Sequence, residues 1–310
     1  TRCADVTGVQ TCCSSDLWSD EGKGIHTIMR PDRETLQRWI QAYERAPRAK
    51  IIDKDFSSSL SFGGSRSLLS HLKYTPSEHN EGSCGNCWAW AGTGAMAIAL
   101  DVQEGIFDRL SVQFASSCNR VKSCCDGGWL SDLADFYGPK GYTIPWSNTN
   151  ANWQNGDGDC NVPCSSIAIS PSYSISSIEA QAIETHSISQ ASAIANIKNV
   201  LNQGKAVWFG FFMATRGDWD SFYDFWDNEK EDVIWNPDYS LEHTWDEANG
   251  GGHAVLCVGY NEDDPENSYW IILNSWGTTP DRRNGLFRMD MNMKYDGWFY
   301  DRGYYYSFYW

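Results

Sequence analysis

"EGSCGNCWAW", residues 81–90, is the stretch on which the reading of this chain turns. It sets two cysteines three apart, follows the second with tryptophan and runs on into Ala- and Gly-rich sequence. Two thiols at this spacing serve as half of a zinc clip, as a redox pair, or as a nucleophile beside a structural cysteine. From Cys87 to about Glu104 the residues are small or good helix formers, with Trp88, Ala91, Ala95, Ile98 and Ala99 on a repeating face. Gly92 and Gly94 weaken that helix but do not break the pattern. The spacing predicts a buried central helix with Cys87 at its start, where the positive end of the helix dipole favours a thiolate.

A nucleophilic thiol also needs an imidazole brought close by the fold, and a group that orients the ring. His253 opens the apolar run "HAVLCVGY" (253–260), and Asn274 ends the next strand, within "SYWIILNSW" (268–276). The turn sequence "NEDDPENS" lies between the two, so a hairpin across 261–268 would lay His253 and Asn274 side by side. Zinc requires neither the tryptophan after Cys87 nor these distant strands, and no βαβ pattern surrounds residue 84, so metal and redox are the lesser readings.

Four pieces in order, "GSCGNCWAW", "CCDGG" (124–128), "GGHAVLCVGY" (251–260) and "YWIILNSWG" (269–277), give the chain its resemblance to the papain-like (family C1) cysteine peptidases, over roughly residues 60–290. The resemblance implies an α+β fold of two lobes, helical on one side and β-rich on the other, with the active-site cleft between. It implies Cys87 as nucleophile, His253 as general base and acid, Asn274 as the orienting residue and Trp276 as a shield over the Asn–His hydrogen bond. It also implies a Cys84–Cys125 disulfide, and a bond from Cys118 to Cys160 or Cys164, with Cys124 taking whichever of those two remains. Gly127 and Gly128 would form the rim along which a substrate backbone lies, and Trp129 and Ala254 would line a pocket beside it. A plain tight turn is the competing reading of the glycine pair.

Three departures from the family pattern stand out. Asn86 occupies a place that usually holds Ser or Ala. His253 and Asn274 lie 166 and 187 residues beyond Cys87, farther than the roughly 130–150 expected, which predicts insertions. Most consequential, the family has Gln six residues before the nucleophile, where its amide N–H completes the oxyanion hole, and this chain has Glu81. An ionised carboxylate offers no donor and repels both thiolate and oxyanion. Three readings stand: Glu81 is protonated and donates from its O–H, it points away while Asn80 or Asn86 supplies an amide, or the protein keeps a peptide-binding cleft without catalysis.

Composition bounds the rest. The chain has 310 residues and a net charge of −16, a field that repels phosphate backbones and excludes nucleic acid as a natural partner. No run of about 18 apolar residues marks a membrane span, and the first 25 residues lack the basic and apolar regions of a signal peptide. "TGVQTCCSSDLW" (7–18) resembles translated adapter sequence, and residues 1–18 are set aside as a non-native tail. Of the eight cysteines beyond it, Cys257 sits in an apolar strand and reads as a buried thiol. With Cys87 as the catalytic thiol, the other six between residues 84 and 164 form three disulfides, as in a secreted or extracytoplasmic protein. Residues 19–56 form an N-terminal helical extension or propeptide remnant, with an amphipathic helix from Asp32 to Pro47, and 57–310 form the peptidase domain.

Residues 118–165 read as disulfide-braced loops, 189–204 as a helix, and 217–249 as a long acidic and aromatic loop before His253. His71, His79, His186 and His243 read as satisfied polar residues, and His26 has no assignment. The expected protein is a monomeric cysteine endopeptidase acting on peptides or proteins without a cofactor.

Overall fold

The computed structural model describes residues 26–52, 64–121, 124–297, 299 and 307–309. The boundary expected near residue 56 and the tail 1–18 lie outside them.

The first helix, α1 (Arg33–Arg45), begins where Asp32 Oδ1 accepts the N–H of Thr35, the N-cap expected from sequence, and buries Leu36, Trp39 and Tyr43. Strand β1 (Ser65–Ser67) follows. The central helix α2 spans Cys87–Glu104 and ends on Gly105 in the left-handed conformation. Its two glycines are sites of close approach. A Cβ on Gly92 would lie 2.5 Å from Leu133, and one on Gly94 would lie 2.6 Å from Leu256. The propensity lost at each is therefore exchanged for tight packing.

Helices α3 (Val112–Cys118) and α4 (Leu130–Tyr137) pack beside α2. Both reach into the region expected to be loop, as does the short hairpin of β2 (Tyr142–Thr143) and β3 (Tyr173–Ser174). The correction has a local cause: Leu130, Leu133, Phe136 and Tyr137 keep a helical spacing on one buried face behind the glycines and cysteines. The rest of this region is irregular and held by Cys84–Cys125, Cys118–Cys164 and Cys124–Cys160. Cys87 and Cys257 are free and buried.

Helix α5 (Gln190–Asn202), capped by Ser189, leads into β4 (Val207–Met213). The main sheet runs β5–β8–β7–β6–β4–β9, where β5 is Ile234–Trp235, β6 Gly251–Asn261, β7 Tyr269–Leu273, β8 Leu286–Asp290 and β9 Ser307–Tyr309. All pairings are antiparallel except β5 with β8. β4 pairs with β6 as far as Cys257, and β1 pairs with it at Gly259–Asn261. Every residue of β4 is buried because both sheet faces are covered. Trp208 meets Trp129 on one face, while Phe211 meets Trp219 and Trp235 on the other.

The segment expected to be a long loop, 217–249, instead begins inside α6 (Arg216–Asn228), followed by β5 and a short 3-10 turn, Pro237–Glu242. Thr215 and Asp218 close a capping box at its start. Trp219, Phe222, Phe225 and Trp226 form its buried stripe, and Asp220 and Asp224 face outward. The acidic residues that obscure the pattern in the sequence are the solvent face of an amphipathic helix.

Candidate active site

Three elements bring the predicted residues together. Cys87 opens α2, His253 lies in β6, and Asn274 follows β7, which pairs with β6 through the expected hairpin. His253 Nε2–H donates to Asn274 Oδ1 at 2.7 Å, and the backbone N–H of Ser275 donates to the same oxygen at 2.9 Å. In the neutral ring this leaves the lone pair on Nδ1, toward the sulfur. The ligand atoms of Cys87, His253 and Glu81 all lie within 4.8 Å of one another. Cys87 Sγ accepts the backbone N–H of Ala254 at 3.4 Å.

Trp276 stacks near the imidazole, with ring centroids 4.6 Å apart, and its indole N–H donates to Glu81 Oε1 at 2.9 Å. Glu81 therefore does not point away. Its backbone N–H donates to Ser275 O, its Oε1 also accepts the Ser275 hydroxyl, and its Oε2 accepts the backbone N–H of Asn86 at 3.0 Å. Asn80 Oδ1 is turned to the N–H of Gly82. Asn86 is fully buried with neither amide atom hydrogen-bonded.

All of Glu81, Cys87 and His253 are fully buried. Burial, opposed by the bonds from Trp276, Ser275, Asn86 and the Cys87 backbone, pushes the Glu81 carboxyl well above the usual range. Burial and then the facing Glu81 push the Cys87 thiol up, and burial pulls His253 down to about 3. Burial in this closed arrangement thus disfavours a thiolate–imidazolium pair.

The cover is the chain's own N-terminal extension. Met29 exchanges two backbone hydrogen bonds of 2.8 Å with Gly252, and its side chain packs on Gly127, whose φ of +79° suits glycine. Ile28 packs on Gly251, and His26 stacks on Trp276 with centroids 4.5 Å apart. Beyond the cleft, Trp39 of α1 stacks on Trp129 at 5.2 Å. Trp129 is thus buried against the extension, Ala254 backs the sulfur, and a Cβ on Gly128 would collide with Trp88 at 2.6 Å. Of the two glycines of the expected rim, Gly127 faces the Met29 side chain and Gly128 faces the Trp88 ring.

Sequence reasoning missed the cleft-crossing residues 26–29, the wall that Tyr223 and Asp227 of α6 raise beside His26, and Ser275 on Glu81. Ser275 had a signal in its place between Asn274 and Trp276, and the wall had one in the capping pair that starts α6. The other histidines meet ordinary partners: His71 with Asp101, His243 with Asp218, His186 with Asp296, and His79 edge-on to Trp90.

Residues 71–207 and 239–300 match the family model described as papain family cysteine protease. Cathepsin B-like CP3 of Giardia intestinalis is 27% identical over 225 residues, covering 69% of this chain and 64% of that protein. Cathepsin B-like CP2 of the same organism is 26% identical, covering 79% and 72%. Pro-cathepsin H of Bos taurus is 30% identical, covering 64% and 51%. The chain thus matches between half and three quarters of these relatives' own lengths. Among solved structures, digestive procathepsin L2 from Tenebrio molitor superposes with a TM-score of 0.56 at 19% identity, covering 86% of this chain and 74% of that one. The bromelain protease of Ananas comosus gives 0.52 at 17%, covering 79% and 97%.

Proposed function

Because this chain belongs to the papain family of cysteine proteases, we propose that it hydrolyses peptide bonds with Cys87 as nucleophile, His253 as base and acid, and Asn274 holding the ring. The observation that carries the reading is the convergence of the Cys87 sulfur, at the start of α2, on an imidazole whose far nitrogen is tied to Asn274 at 2.7 Å. His253 Nδ1 takes the thiol proton, and the thiolate attacks the scissile carbonyl carbon. The backbone N–H of Cys87 and the O–H of protonated Glu81 then hold the oxyanion. Collapse expels the amine with the proton from His253, and water, deprotonated by the same nitrogen, cleaves the thioester.

The closed cleft fits the N-terminal extension acting as a propeptide remnant. Residues 26–29 exclude the water that a thiolate–imidazolium pair needs, so their departure would let the pair form. The proposed molecule is a monomer exported to an oxidising compartment, in keeping with its three disulfides. Among the described residues no helix is long and apolar enough to cross a membrane.

A second reading, a silent peptide-binding protein, draws on Glu81, whose carboxyl takes the Asn86 N–H and faces the Cys87 N–H that an oxyanion needs. Peptide-library hydrolysis, with the Cys87→Ala chain as control, is set beside covalent labelling of Cys87 by an epoxide or diazomethylketone peptide. Turnover that vanishes in the control supports the peptidase. Labelling without turnover favours the silent protein.

A further inference from the structure

In the closed site a thiol, a carboxyl and an imidazole nitrogen point at one buried volume. Their ligand atoms lie within 4.8 Å of one another, with Glu81 Oε1 4.0 Å from His253 Nδ1. His253 Nδ1 is fully buried and has no hydrogen-bond partner. A buried lone pair left unmatched is costly, and two buried acids side by side cannot both ionise unless a cation joins them.

Each of the three is already oriented from behind, as the ligands of a metal are. Asn274 takes the His253 Nε2–H, leaving Nδ1 as the donor atom. Trp276 and Ser275 fix the Glu81 carboxyl, and the Ala254 N–H fixes the Cys87 sulfur. Sulfur, imidazole nitrogen and carboxylate oxygen are the three donors zinc accepts, at roughly 2.0–2.3 Å, which places neighbouring ligand atoms about 3.3–3.6 Å apart. A contraction of about 1 Å from the closed arrangement reaches that geometry. The other thiol-rich cluster, Cys84, Cys124 and Cys125, offers no thiolate, because all three are in disulfides.

We propose that Glu81, Cys87 and His253 form an inhibitory zinc site, the carboxylate supplying the third ligand that a neutral amide at position 81 would not. The metal replaces the protons of Cys87 and Glu81, occupies the lone pair of His253 and leaves one coordination position for water. That binding silences a peptidase rests on the function proposed above; the binding itself does not.

The test uses the full chain under non-reducing conditions, stripped with a chelator and titrated with Co²⁺ as an optical stand-in, then with Zn²⁺ in competition. One cobalt per chain is expected, with a thiolate-to-cobalt charge-transfer band and the visible bands of a tetrahedral ion, both erased by one equivalent of zinc. Cys87→Ala should lose the charge-transfer band. Glu81→Gln should bind at least about tenfold more weakly, the loss that removing even an outer partner of a ligand produces. Should that variant not fold, Glu81→Asp must shift the visible bands, since its carboxylate is withdrawn by one methylene. The site is refuted by the absence of a charge-transfer band, by a band that survives Cys87→Ala, or by unchanged affinity in the Glu81 variants. Hydrolysis by a metal-free chain that shows no cobalt band sinks the metal site alone. A cobalt band from a chain that neither hydrolyses nor labels sinks the peptidase alone and upholds the metal site.

Discussion

The parts of the molecule that match the family model and the parts that do not are built on different principles. Cys87, His253, Asn274 and Glu81 all fall within 71–207 and 239–300, and each is fixed by hydrogen bonds to a regular element or to the turn that ends one. Residues 26–52 and 208–238 fall outside the matched ranges. They meet at Trp276, where His26 stacks on the indole and Tyr223 of α6 lies 5.5 Å from it. The shared scaffold thus carries the groups proposed to react, and the additions cover them.

The sharpest break of that contrast is on the scaffold. Cys87→Ala and His253→Ala should each lower kcat/KM by about 10⁴-fold or more, and Asn274→Ala by a smaller factor near 10²-fold, the scale of a misplaced catalytic group. The measurement is peptide hydrolysis with chelator present, and wild-type rates from Cys87→Ala would overturn the assignment. Next comes Glu81. Glu81→Ala should cost about 10²–10³-fold, the usual loss for one oxyanion donor, while Glu81→Gln, which restores a permanent N–H, should exceed wild type under the same conditions. Equal rates for Glu81→Ala and wild type would remove Glu81 from the oxyanion hole.

The additions are probed by the rate at which an epoxide peptide labels Cys87 in the full chain. Met29→Asp buries a carboxylate against Gly127 and should open the cover by at least about 1.4 kcal/mol, a tenfold faster labelling. An unchanged rate would mean that residues 26–29 do not limit access. The smallest change is expected from Asp227→Asn, which removes the 3.5 Å contact with His26 Nε2. A partly exposed pair of this kind contributes about 0–1 kcal/mol, so labelling should rise less than about fivefold. A larger rise would make the α6 wall, not the Met29 pairing, the principal latch.

The sequence was most legible where one pattern served one purpose. The run after Cys87 and the two strands beside His253 and Asn274 have the pattern of the elements they form, which brought those three candidate residues into view together. The helix α6 was hidden because its buried stripe, Trp219, Phe222, Phe225 and Trp226, is interleaved with aspartates and tyrosine that blur the period. Its capping pair, Thr215 and Asp218, was nonetheless a readable start signal. The passage of residues 26–29 through the cleft had no signal at all, because its grip on Gly252 is made by backbone groups that any residue other than proline supplies. Glu81 was visible as a departure, and its direction was not, since that depends on Ser275 and Trp276 nearly two hundred residues later.

The wall that α6 raises beside Trp276 bears on inhibitor selectivity. Tyr223 and Asp227 belong to the stretch that the family model does not match, yet both reach His26 on the Trp276 ring. A cleft-directed small molecule with a flat cationic group spanning the Trp276 indole and the Asp227 carboxylate would add to a matched residue a contact that the matched residues do not supply. Its discrimination from other papain-family enzymes would then come from the inserted helix, while its reactive group still aimed at a cysteine the family holds in common.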